Sequence, residues 1–188
     1  MALPTEDELL ELVLHSIETA LNEHQEHIVF QQLRVAPESL IVHLAAFQIH
    51  KEFEKHWPGQ FDVRLEGERC DLKIAPKNTP DEPFLFEFKI PWSGYFILGD
   101  TADDLHRKLR DNPRAFEVTV FLRVVNRGEW LYREQGSLIP EDYREQLPNY
   151  VESKYPGLRV QLVKEGRTFS LTLGDAEIEC SVMIWRAE

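Results

Sequence analysis

Two short segments of the chain, residues 69–74 and 84–90, alternate apolar and charged side chains as β-strands do. Successive side chains of a strand point to opposite faces. Three phenylalanines therefore share one face of the second segment, while Glu87 and Lys89 share the other. A hairpin that pairs the two segments brings Asp71 beside Glu87. The pattern predicts two carboxylates and an ammonium group on one face of an otherwise apolar hairpin.

This group of charges suggests a metal-dependent reaction. Hard divalent cations such as Mg²⁺ prefer oxygen ligands and are typically held by one or two carboxylates together with water and substrate phosphate. A nearby lysine can orient the attacking water or help to deprotonate it while the metal acts as a Lewis acid. We expect Asp71, Glu87 and Lys89 in a concave region that solvent reaches, where they would cleave a phosphodiester bond.

The rest of the chain alternates helical and strand patterns. Helices are predicted at residues 5–24 and from residue 37 to a stop at residues 57–59, and three strands of a meander at residues 61–65, 69–75 and 83–90. A loop with Pro91, Gly94 and Gly99 leads to a helix at about residues 101–110 and a strand at residues 116–125. The tail predicts a helix at residues 140–155 and strands at residues 158–163, 168–173 and 176–185. These last strands either continue one mixed sheet or form a second antiparallel layer.

The order of helix, three-strand meander with an Asp and then Glu-x-Lys, helix and strand resembles the restriction-endonuclease-like fold of the PD-(D/E)xK nuclease superfamily. The resemblance covers about residues 37–125. It implies an α/β (α+β mixed) single domain of residues 1–188, with a central mixed sheet flanked by helices. Residues 1–36 form an N-terminal helical segment in this scheme, and residues 126–188 form a C-terminal α+β extension with antiparallel strands. Cys70 precedes Asp71 where the superfamily motif has proline.

The resemblance also implies roles for individual residues. Asp71 and Glu87 would bind Mg²⁺ or Mn²⁺ with the Phe88 carbonyl as a third ligand, and Lys89 would position or activate water. Glu38 would support the metal through a bridging water, with Glu52 as the next choice. A different register combines Asp62 with Asp71-Leu72-Lys73. The charges also fit an ordinary half-buried sheet, in which Lys73 and Lys89 simply pair with the acids.

The net charge of −12 bears on the substrate, because affinity for nucleic acid comes largely from basic residues that neutralise phosphates. A nuclease acting on DNA must then gather its basic residues near the site, and the sequence offers Lys73, Lys77, Arg107, Lys108 and Arg110. The rival hypothesis is a catalytically inactive, acidic protein-interaction module on the same fold, acting as a subunit, inhibitor or immunity-type partner. A protein partner or a homodimer is open under both hypotheses.

Other features narrow the class of protein. Cys70 and Cys180 are too few for a disulfide framework, and we expect both to be buried thiols. The sequence contains no HExxH pattern, which disfavours a zinc site. No apolar run reaches the roughly 18 to 20 residues that a membrane span needs. Because residues 1–8 lack the basic start and apolar stretch of a signal peptide, a cytoplasmic protein without a membrane partner is expected.

Overall fold

The computed structural model describes residues 3–25, 38–65, 70–90, 94–110, 112–124, 140–173 and 176–188. Within these ranges the fold is mixed α+β, with a seven-stranded mixed sheet, four α-helices and one π-helical turn. The helices are α1 (Glu6–Glu23), α2 (Glu38–His56), α3 (Gly94–Asp104) and α4 (Pro140–Lys154), and the π-helical turn spans Leu105–Leu109. The strands are β1 (Phe61–Leu65), β2 (Leu72–Pro76), β3 (Phe84–Lys89), β4 (Ala115–Val124), β5 (Val160–Glu165), β6 (Phe169–Leu173) and β7 (Ala176–Ala187).

The sheet is continuous from the meander to the C-terminal strands. Its order is β1-β2-β3-β4-β7-β5, and β6 pairs with the first half of β7. The first three strands are antiparallel neighbours, whereas β4 lies parallel to β3. A parallel pair needs a long crossover connection, and α3 lies in that connection. Because β7 pairs with β4, the C-terminal strands extend the same sheet and do not form a second layer.

One face of the sheet is covered by α1 and α2. Phe86, Phe88 and Phe116 lie fully buried at its centre, and the rings of Phe86 and Phe116 stack with centroids 5.4 Å apart. We call this cluster the first core. A capping box begins α1, because Thr5 Oγ1 accepts from the Glu8 N–H at 3.3 Å while Glu8 Oε2 accepts from the Thr5 N–H at 2.8 Å.

The opposite face carries α3, the π-helical turn and α4. Leu98, Ala102 and Leu105 pack there with Tyr143 and Trp185, and we call this cluster the second core. Leu85 packs against the second core, whereas its neighbours Phe84 and Phe86 belong to the first. The predicted alternation of β3 is therefore confirmed, and Glu87 and Lys89 belong to the second face.

The segment after β3 differs from its prediction. The helix begins at Gly94 rather than at residue 101, so the predicted loop is wrong for residues 94–100. Gly99 is tolerated within the helix because Leu98, Ala102 and Leu105 become buried along one side of it. The last turn is a π-helical one, which the 3.6-residue period does not predict.

Both cysteines are buried free thiols, as predicted, and burial raises the pKa of the Cys180 thiol well above its ordinary value. Among the described residues, no helix has the length and apolar character needed to cross a membrane.

Candidate active site

Asp71 lies at the point where the β2–β3 hairpin begins. It directly precedes β2, and its backbone N–H donates to the Phe86 carbonyl at 3.0 Å. Its carboxylate crosses to β3, where Oδ2 accepts a hydrogen bond of 2.7 Å from the Phe88 N–H. The structure thus places the Asp71 carboxylate against the backbone between Glu87 and Lys89.

The backbone of Phe88 adds an oxygen to the same place. In an extended strand the N–H and C=O of one residue point toward the same neighbouring strand. Because the Phe88 N–H meets Asp71, its carbonyl is directed to the side on which Asp71 lies. The Phe88 ring points away into the first core.

Lys89 joins two acids. Its Nζ lies 3.3 Å from Glu87 Oε1 and 2.8 Å from Asp104 Oδ2, at the end of α3. Glu87 is only 4% exposed, so the expectation that solvent reaches this group is wrong for Glu87. The physical reason is the early start of α3, which packs on this face of the sheet.

A second buried acid stands beside Glu87. The parallel register pairs Glu87 with Glu117 and Lys89 with Thr119. Glu117 is fully buried, and its Oε1 accepts from the Tyr143 hydroxyl at 3.3 Å and from Thr119 Oγ1 at 3.4 Å. Burial raises the pKa of Glu117 to about 8, although the nearby Lys89 charge acts in the opposite direction. This acid is therefore mostly neutral at pH 7.

The polar group around Lys89 contains residues that the sequence reasoning missed. Asp104, Glu117 and Tyr143 come from α3, β4 and α4, and Thr101 Oγ1 lies 2.9 Å from the Tyr143 hydroxyl. Glu117 and Thr119 were visible as polar residues at alternate positions of β4. Their proximity to Glu87 depends on the register of a crossover pair, which no local pattern specifies.

Among the other predicted acids, Glu52 and Asp62 do not join this group. Glu38 is the first residue of α2, and its side chain lies outside the described residues. Glu52 lies on α2, which packs on the opposite face, and its Oε2 is 3.2 Å from Lys55 Nζ. Asp62 is paired with Ala75 across β1 and β2 and contacts Arg64, so the alternative register with Asp71 does not bring it to the Asp71 carboxylate.

The predicted basic residues fall into two groups. Lys73 lies in β2 opposite Leu85, and the exposed Lys77 follows the same strand. Arg107 and Arg110 are exposed at the end of the helical segment that follows β3, and Arg110 Nη1 lies 3.1 Å from His106 Nε2. The side chain of Lys108 lies outside the described residues.

The donor set at Asp71 consists of hard oxygens. Asp71 and Glu87 carry carboxylates and Phe88 a backbone carbonyl, which are the ligand types that Mg²⁺ and Mn²⁺ prefer. No group of three or more His, Cys, Asp or Glu side chains that could hold a metal ion occurs in the part of the chain that the structure describes. Comparisons with protein-family models, curated proteins and solved structures gave no match.

Proposed function

We propose that the chain is a metal-dependent nuclease that hydrolyses phosphodiester bonds, with DNA as its substrate. The single observation that carries this proposal is the contact between Asp71 and Phe88, because it brings a carboxylate to the strand segment Glu87–Lys89. Asp71, the Glu87-Phe88-Lys89 segment and the Phe88 carbonyl, which is directed toward Asp71, then lie at one end of the β2–β3 hairpin. The proposed site takes its oxygen ligands from Asp71, Glu87 and Phe88.

The topology also supports a restriction-endonuclease-like core. From α2 to β4 the chain forms a helix, an antiparallel three-strand meander, a crossover helix and a strand parallel to the third. This is the order of elements that the sequence resemblance implies for residues 37–125. The proposal treats α1 and the strands from β5 onward as additions to that core.

In this proposal one set of residues binds the metal ion, and Lys89 activates the attacking water. A bound Mg²⁺ or Mn²⁺ would supply Lewis-acid stabilisation of the charge that develops on the phosphate oxygens. Asp71, Glu87 and the Phe88 carbonyl would hold the ion. Lys89, kept in place by Asp104, would orient the attacking water. The predicted role of Glu38 is not part of this proposal, because α2 packs on the opposite face of the sheet.

Substitution of Asp71 and Lys89 tests the proposal. Lys89→Ala should abolish cleavage and leave metal binding largely intact, because it removes the water-organising group and no ligand. Asp71→Asn should weaken both, while its amide oxygen still accepts from the Phe88 N–H. Cleavage of linear, nicked and single-stranded DNA in Mg²⁺ and Mn²⁺ is measured beside calorimetric titration of each metal.

Two further variants control this experiment. Lys89→Arg keeps a cation beside Glu87 and Asp104, which separates loss of folding from loss of the reactive group. Lys55→Ala removes an exposed lysine on α2 and should change nothing. Equal cleavage by the wild type, Lys89→Ala and Asp71→Asn would refute the assignment.

A catalytically inactive, acidic interaction module on the same fold is the second candidate. It is favoured by the burial of Glu87 and by the pairing of Lys89 with two acids, as in a structural cluster. Under this hypothesis the wild type neither binds Mg²⁺ nor cuts DNA. Glu87→Gln combined with Lys89→Met and Asp104→Asn would then leave stability roughly unchanged, since a buried ion-pair cluster contributes little net stability relative to neutral groups of similar size.

A further inference from the structure

A cleft of about 500 Å³ opens where the π-helical turn meets the C-terminal end of α4. It is lined by residues of both elements and by the C-terminal strand region, among them His106, Arg110, Lys154, Tyr155 and Glu188. This volume is in the range of small-molecule sites. It is separate from the Asp71 site, because none of the residues that line it belongs to β2 or β3.

Two cations line the cleft, although the chain has a net charge of −12. Arg110 and Lys154 lie there with the acidic Glu188, while Asp103 pairs with Lys154 and His106 Nε2 lies 3.1 Å from Arg110 Nη1. Cations collected in a concave site raise the local concentration of anions. The fork of a guanidinium also matches the geometry of a phosphate.

An ordered aromatic pair forms part of the wall. The rings of His106 and Tyr155 are parallel within 3° and their centroids are 3.9 Å apart. The Tyr155 hydroxyl donates to Asp103, and this hydrogen bond raises the pKa of the Tyr155 hydroxyl, which therefore stays neutral. Asp103 Oδ1 also lies 2.7 Å from Lys154 Nζ. One aspartate thus fixes both the stacked ring and the lysine before any ligand arrives.

We propose that this cleft binds a nucleotide, with Arg110 and Lys154 contacting its phosphate and the His106–Tyr155 pair providing a flat wall for its base or sugar. Flat aromatic surfaces beside cations are the usual means of holding nucleotides without reading their sequence. The ligand is either a free mononucleotide or one unit of a nucleic-acid strand, and the phosphate chemistry is the same in both.

The cleft adjoins the candidate active site through α3. Asp103 holds Lys154 and Tyr155, and the next residue, Asp104, holds Lys89. The Cα atoms of consecutive residues are only about 3.8 Å apart. Two adjacent aspartates of α3 therefore connect the cleft to Lys89. A role of the cleft in cleavage rests on the proposed nuclease function, whereas nucleotide binding itself does not.

Binding measured without divalent cations tests the cleft independently of cleavage. The full-length protein in EDTA is titrated with inorganic phosphate, deoxyadenosine monophosphate and a single-stranded oligothymidylate, and heat and the His106 ring NMR signals are followed. We expect saturable binding that Arg110→Ala weakens about tenfold or more, since it removes a charged hydrogen-bond donor. Arg64→Ala, an exposed arginine on β1, is the matched control and should bind as the wild type does.

The three probes distinguish the sources of the phosphate. Tighter binding of the oligonucleotide, lost in Arg110→Ala, assigns the cleft to a nucleic-acid strand, and equal binding of the mononucleotide assigns it to a free nucleotide. No binding of any probe, or an equal loss in Arg110→Ala and Arg64→Ala, would overturn the proposal. The cations would then serve only to offset the negative helix ends at which they lie. Binding that persists in a protein unable to cut DNA refutes the nuclease and leaves the cleft assigned.

Discussion

At the scale of single residues, Glu117 has the chemistry of a neutral acid rather than of a carboxylate. Its Oε1 accepts two hydrogen bonds, while its buried Oε2 has no partner among the described residues. Ionisation would place a charge at Oε2 with no donor to stabilise it, so desolvation dominates and the pKa rises from 4.5 to about 8. The raised pKa of Glu117 is therefore a consequence of its burial in the fold.

The stability of the protein should therefore fall with rising pH on account of Glu117. Between its ordinary pKa of 4.5 and its folded pKa of about 8, the folded state binds more protons than the unfolded state. The loss begins above 4.5 and levels off above 8, at up to about 1.4 kcal/mol per pH unit. Glu117→Gln removes this loss. Urea unfolding at pH 5, 7 and 9 should show the advantage of Glu117→Gln growing with pH, and a pH-independent difference would contradict the assignment.

At the scale of elements, the register of β3 decides which side chains reach the site. Phe86 is fully buried in the first core, opposite Leu72, whereas Leu85 is partly buried on the second face. A slip of one residue would turn the phenylalanines toward Glu117 and bury the charges in the first core. The burial of three aromatic rings therefore fixes the orientation of Glu87 and Lys89.

Truncation of Phe86 and of its neighbour Leu85 tests this register. Phe86→Ala should lower the free energy of unfolding by about 3–5 kcal/mol, because it leaves a cavity in a fully packed core. Leu85→Ala, on the same strand, should cost less, since its side chain is only partly buried. Urea unfolding of both variants gives the comparison, and a larger loss for Leu85→Ala would mean that the faces of β3 are exchanged.

Local patterns predicted the elements that alternate strictly and missed what depends on packing between them. The meander and β4 follow from period-two patterning, and Asp71, Glu87 and Lys89 follow from the same rule. The start of α3 at Gly94 could not be predicted, because glycine disfavours helix until burial of Leu98 and Ala102 compensates. Asp104 and Glu117 join the site through the α3 crossover and the β3–β4 register, which are tertiary and leave no periodic signal.

At the scale of the whole molecule, the distribution of charge separates the two proposed functions. A net charge of −12 opposes the binding of nucleic acid, so a nuclease that acts alone depends on local basic groups. Arg107 is exposed at the end of the helical segment that carries Asp103 and Asp104, next to the cleft. Lys108 follows Arg107 directly in the sequence, so the two form a basic pair.

The dependence of DNA binding on salt tests this pair. Contacts with phosphates release counterions, so affinity should fall steeply as salt rises, and replacing Arg107 and Lys108 by Ala should flatten the slope by up to about one unit per lost contact. Lys51→Ala with Lys55→Ala removes two exposed lysines from α2 and should leave the slope unchanged. Fluorescence anisotropy with a labelled duplex over a salt series provides the measurement.

Absence of any affinity at about 50 mM salt would exclude a nuclease that acts alone. An acidic chain without such affinity needs a basic partner, and the interaction module then accounts better for its charge.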